Sequence, residues 1–185
     1  MKTSPAHFQT LWRELTNRLQ QEWLVLCDED RAWIYGKIEL LADKQQQLHR
    51  LVTAVDGENV CRDCRGACCE HGLYHPTLVT ILAHLVVNHP LPVPDFEQSC
   101  PYLGVANCQF PPHLRPYNCL TFICDKIDDR YTGNQHRAML TLELELREIY
   151  EAFDNRYNGS SLRGLLNRKS VESLHPLLER QNKRV

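Results

Sequence analysis

Cys61-Arg62-Asp63-Cys64-Arg65-Gly66-Ala67-Cys68-Cys69 divides this 185-residue chain into two helical flanks and an irregular middle. Thiols two and three residues apart converge on one soft metal ion, because a tight turn carries both sulfurs to the same side of the backbone. Around this stretch, residues 57 to 75 show neither helical nor strand periodicity, which predicts a loop whose geometry a metal would fix. Cys68 extends the run as a third ligand. Cys69 is less simply placed, since neighbouring side chains in extended chain point to opposite sides.

Moving outward, the amino-terminal flank reads as a helical hairpin. Ser4-Pro5 supplies an N-cap and a first-turn proline, and Phe8, Leu11, Trp12, Leu15, Leu19, Trp23 and Leu26 follow at spacings of three and four. A second helix begins at Asp28 or Asp30 and carries Ile34, Ile38, Leu41, Leu48, Val52 and Val55 on one stripe, with Asp56-Gly57 as its stop. Gln45-Gln46-Gln47 dilutes that stripe.

Beyond the first cysteines, Pro76 is expected to open a short helix through Leu78, Ile81, Leu82 and Leu85 that ends near Asn88-His89-Pro90. Seven prolines between residues 90 and 116 exclude a long helix, since each removes a backbone donor and restricts its predecessor. Cys100, Cys108, Cys119 and Cys124 are therefore expected largely on extended or turning chain. After Tyr131-Thr132-Gly133 a long helix is predicted through Met139, Leu142, Leu146, Ile149, Phe153 and Tyr157, with Glu143, Arg147 and Glu151 spaced for i,i+4 pairing and Asn158-Gly159 as the stop. Short helical pieces are expected at residues 162 to 166 and 176 to 180. The fold class is mainly α: one helical domain around a cysteine-rich, metal-binding middle, organised as 1–56, 57–125 and 126–185.

Composition narrows the function classes. There are 21 Lys plus Arg against 23 Asp plus Glu, so no net basic field draws nucleic acid or anionic membrane. The amino terminus lacks the apolar stretch of about 7 to 15 residues of a signal peptide. The longest apolar run, residues 78 to 87, falls short of the ~20 residues that span a bilayer. A cytoplasmic protein is expected, and in a reducing compartment thiols serve as metal ligands or buried apolar groups more often than as disulfides. An odd total of nine cysteines fits a disulfide framework poorly.

The eight clustered cysteines resemble those of the YkgJ-like cysteine-cluster family, described as zinc- or iron-chelating domains. The resemblance rests on the Cys61 to Cys69 run, on Cys100-Pro101-Tyr102-Leu103, on Cys108, and on Arg115-Pro116-Tyr117-Asn118-Cys119 leading to Cys124. It covers residues 57 to 125. The family's Cys-x-Ile-Tyr step reads here Cys108-Gln109-Phe110-Pro111-Pro112-His113-Leu114, about one residue longer. The resemblance implies metal or cluster binding by Cys61, Cys64, Cys68, Cys69, Cys100, Cys108, Cys119 and Cys124. Flagellin lysine methylases carry a similar cluster, which implies an enzymatic alternative. This chain is short for such a methylase and has no G-x-G loop for a nucleotide-bearing cofactor.

Thiolates hold either Zn²⁺ or an iron–sulfur cluster. The three-plus-one spacing of the first run resembles ferredoxin loops at least as well as evenly paired zinc knuckles. An iron–sulfur centre with a redox or electron-transfer role is the first expectation, and a structural-zinc interaction module the alternative. His71 and His75 are candidate imidazole ligands, with capping of the Pro76 helix as the plainer role for His75. His84, His89 and His113 read as ordinary helix and loop residues. Arg115 reads either as a residue that orients the ligand loop and stabilises thiolate charge or as a solvent-facing turn residue. Cys27 reads as a buried small hydrophobe and Asp28-Glu29-Asp30 as capping or solvated carboxylates. The carboxyl-terminal basic residues Arg163, Arg168, Lys169, Arg180, Lys183 and Arg184 read as a solvated face.

Overall fold

The computed structural model describes residues 4–64, 69, 72–105, 107–158, 161–167 and 176–181. Expectations placed on Cys68, His71, Gly159, Arg168, Lys169, Lys183 and Arg184 lie outside the described residues. Seven α-helices are present among the described residues, and no strand. The fold is mainly helical, as the periodicity predicts.

Helix α1, Pro5–Leu24, starts where Ser4 accepts a hydrogen bond from the His7 backbone N–H and Pro5 occupies the first turn. It buries Trp12, Leu15 and Leu19. Helix α2, Asp28–Ala54, is the spine: α7, α4 and the short 3₁₀ turn Pro112–Leu114 all pack on it. Helix α4, Leu78–Val86, begins with a reciprocal cap between Thr77 and Thr80, and its first seven residues are buried. Helix α7, Gly133–Arg156, is capped in the same manner by Thr132 and Gln135, and Leu146 and Phe153 are fully buried on its inner stripe. No helix among the described residues is long and apolar enough to cross a membrane.

Several expectations are corrected. Residues 57 to 75 do not begin as loop, because helix α3, Gly57–Asp63, occupies the first part. Asp56 turns the chain through φ 60°, the left-handed region, so that α2 ends and α3 restarts at an angle. Gly57 fits against Val52 where a Cβ would sit 2.6 Å from Val52 Cγ1. The second cysteine set is likewise less irregular than predicted: Cys119 lies in α5, Tyr117–Thr121, and Cys124 N-caps α6, Asp125–Asp128. Val60 of α3 and Ile127 of α6 meet with Tyr131 in a small satellite core.

Residues 176 to 180 form a turn and an isolated bridge, Arg180 to Tyr157, in place of a helical piece. Asp30 explains their position. Its carboxylate is buried and accepts hydrogen bonds from Arg156 Nη2 at 2.7 Å, Tyr157 Oη at 2.8 Å and Arg180 Nε at 2.9 Å. Asp30 is thus neither solvated nor a simple cap, and Arg180 is not a free surface cation. Cys27 is corrected too: it is exposed at the start of α2, with Sγ 3.4 Å from Asp30 Oδ2.

His84, on α4, is 1% exposed. Its Nδ1 lies 3.2 Å from the His89 carbonyl and 3.1 Å from that of Pro90, so Nδ1–H donates, and the buried Nε2 has no hydrogen-bond partner among the described residues. Burial outweighs those carbonyls and lowers the His84 pKa from 6.5 to about 4. An unfolded chain takes up a proton below pH 6.5 that the folded chain refuses. Stability should therefore fall by about 3 kcal/mol between pH 6.5 and about 4 through this residue. Urea midpoints measured across that range check this; His84→Asn, which keeps a donor near Nδ1, should flatten the slope.

Candidate metal centre

The middle segment is held to the helical frame by aromatic anchors. Tyr102 and Phe110 are buried, their ring centroids 4.9 Å apart, and Tyr102 also packs on Trp12 of α1. Between them the chain makes a tight turn, with Gly104 N–H donating to the Asn107 carbonyl at 2.8 Å and Gln109 N–H to the Tyr102 carbonyl at 2.9 Å. Leu103 and Cys108 pair across this turn. The turn sets Cys100 and Cys108 on the two arms of one small hairpin, a relation that their spacing does not reveal.

The next stretch is fixed from α2. Gln45 is 1% exposed and donates from Nε2 to the Arg115 carbonyl at 2.7 Å. Arg115 Nε donates in turn to the Phe110 carbonyl at 3.1 Å. The glutamine that dilutes the apolar stripe is therefore the clamp that delivers Arg115, Pro116 and α5 to the site. Gln45→Ala should lower stability by about 1–3 kcal/mol, because it strands a buried carbonyl. Amide exchange should show faster opening of residues 115 to 121 with α1 unaffected.

These anchors enclose a cavity of about 440 Å³ lined by Cys61, Cys69, Cys100, Cys108, Cys119 and Cys124. Phe110, Phe122, Val52 and Ile127 make its apolar wall, and Arg62 and Arg115 bring positive charge to it. Cys64 is turned away: its Sγ donates to the Cys61 carbonyl at 3.3 Å, and it lies in a separate cleft with Asp63, Lys126 and Arg130. Among the described residues, no three Cys, His, Asp or Glu side chains stand close enough together to hold a metal ion. The cavity collects the thiols without bringing them to ligand distances.

His75 does not cap α4, a role that Thr77 takes. It lines the cavity, with Nδ1 3.2 Å from Cys119 Sγ. Gly72, three residues before it, is packed so tightly that a Cβ would be driven into Cys100 Sγ. His49 on α2, unremarked in the sequence, also faces the cavity, 3.5 Å from Glu58. Its signal was the register it shares with Val52, one turn on.

Burial pushes the Cys119 thiol well above its ordinary value, the charges of Cys108, Cys100 and Cys69 push it further, and Arg115 offsets only part. Cys100 is raised as well, by burial first and then by Cys108, against the backbone N–H groups of Tyr102 and Leu103. A cation entering here displaces thiol protons and neutralises the thiolates that remain. The donor chemistry of the cavity thus suits a thiophilic metal.

Comparison with known proteins finds no family model, no curated protein and no solved structure that matches this chain.

Proposed function

We propose that this protein binds a metal centre through its cysteine cluster, an iron–sulfur cluster in the first instance, and serves a redox or electron-transfer role. The observation that supports this is the shared lining of one cavity by six thiols drawn from separate segments of the middle region. A single tetrahedral ion is closed over by four ligands at about 2.3 Å. A chamber of about 440 Å³ suits a polynuclear centre better. Apolar walls and a nearby guanidinium are the features by which a protein tunes the potential of such a centre.

A structural-zinc interaction module is the second reading, and the contact between His75 Nδ1 and Cys119 Sγ favours it, since imidazole with thiolate is a zinc donor set. On either reading Cys119→Ser should lower the bound metal per chain, and Cys27→Ser, at the far start of α2, should leave it unchanged. Equal metal content in both variants and the parent would sink the site.

A further inference from the structure

The first loop and the proline-rich loop meet at two points. Gly72 lies directly against Cys100 Sγ, and His75 Nδ1 lies 3.2 Å from Cys119 Sγ. Both contacts come from residues three and six positions after Cys69, which itself lines the cavity with Cys100 and Cys119. Cys108 is joined to the same group through the hairpin that pairs it with Leu103. Cys69, Cys100, Cys108 and Cys119 thus line the cavity from the two loops that meet here.

The other three described cysteines of the cluster, Cys61, Cys64 and Cys124, lie on or beside α3 and α6. Cys64 sits in its own cleft with Lys126 and Arg130. Cys124 lines the cavity but packs on the satellite core of Val60, Ile127 and Tyr131. Cys61 rides on helix α3 and is exposed, although it reaches the cavity rim. The pair that carries the CxxC spacing is therefore split, because a helix now runs through it and directs Cys64 away.

We infer that one metal centre is ligated by Cys69, Cys100, Cys108 and Cys119, with Cys61, Cys64 and Cys124 outside it. This rests on the metal-binding reading above. His75 is a positioning residue whose Nδ1–H donates to the Cys119 sulfur, and Gly72 clears the space that Cys100 occupies. The centre joins the Cys69 loop to the hairpin and to α5.

The test is metal and sulfide content, with visible absorption, on full-length protein purified without oxygen, helical content being followed by circular dichroism. Cys69→Ser, Cys100→Ser, Cys108→Ser and Cys119→Ser should each remove the same share of bound metal, and any two together should remove no more. Cys64→Ser and Cys124→Ser should remove none of that share, so any loss they cause adds to that of Cys119→Ser. If either instead removes the same metal as Cys119→Ser, with no further loss in the double variant, the assignment is overturned.

Gly72→Ala removes no thiol, yet it should reduce occupancy; occupancy equal to the parent's would overturn the placement of Cys100. His75→Ala should keep the metal and shift the absorption, and His75→Gln, which retains a donor, should restore it. Loss of metal in His75→Ala would make His75 a ligand and contradict the four-thiol set, and an unchanged spectrum would remove its positioning role. Metal-free parent protein would overturn the metal reading itself together with this assignment, whereas a metal-replete parent with the wrong grouping overturns only the assignment.

Discussion

Asp30→Ala should destabilise the fold by about 3–5 kcal/mol, the scale on which removing one partner from a buried ionic network acts. Asp30 is 5% exposed and joins α2 to the end of α7 and to the carboxyl-terminal turn through Arg156, Tyr157 and Arg180. Truncation leaves two guanidinium groups and a buried hydroxyl facing a void. The Arg156 guanidinium also stacks on Trp33, 4.6 Å from the ring centroid, so disorder there spreads into the aromatic packing of Trp33 on Phe153. Urea titration of the variant checks the size of the loss.

The pH dependence of the same site has a definite sign. Burial alone would raise the Asp30 pKa, but the hydrogen bonds from Arg180, Tyr157, Arg156 and Cys27 outweigh it and lower the value from 3.8 to about 2. A depressed folded-state pKa means that the stabilisation is complete above pH ~4 and is lost as pH falls through about 2. The amount is about 2.5 kcal/mol. Asp30→Ala should therefore lose stability at neutral pH and show a shallower acid limb than the parent.

On the proposed metal-binding reading, removing the metal should have the second large effect, and a local one. Outside helix α4, whose buried residues belong to the main core, residues 57 to 125 are held by two aromatic anchors, a glutamine clamp and short helices of four to seven residues. Such short helices are unstable without tertiary support. Metal binding contributes folding free energy wherever the unfolded chain has no preformed site. Chelation should therefore raise amide exchange sharply across residues 57 to 75 and 90 to 125, while α1, α2, α4 and α7, which share the main core, keep their protection. Uniform exchange across the whole chain, with or without metal, would show that the centre is not structural.

The long helices were legible because their apolar residues recur at three and four over twenty residues or more, and that signal survives ignorance of the partner. Helix α3 was not, since its seven residues bury little beyond Val60 and the cysteines mask any stripe. The buried Asp30 and Gln45 were misread for one reason: their partners lie 126 and 70 residues away, and no local pattern reports them. The cysteine set was legible as a group. Its internal sorting was not, because the turn at Gly104, the packing at Gly72 and the His75 contact exist only once the two loops are folded together. His75 itself was a candidate by residue type, and only its place against Cys119 separates it from a cap.

An iron–sulfur centre in the cysteine-lined cavity is the reading proposed above. It is tested most directly by iron, zinc and acid-labile sulfide analysis with a visible spectrum on protein purified without oxygen. Iron with matching sulfide and a broad visible absorption is the predicted result. Colourless protein without sulfide would contradict it: with zinc at one or two ions per chain the cavity would be a structural zinc site, and with no bound metal it would not be a metal site at all.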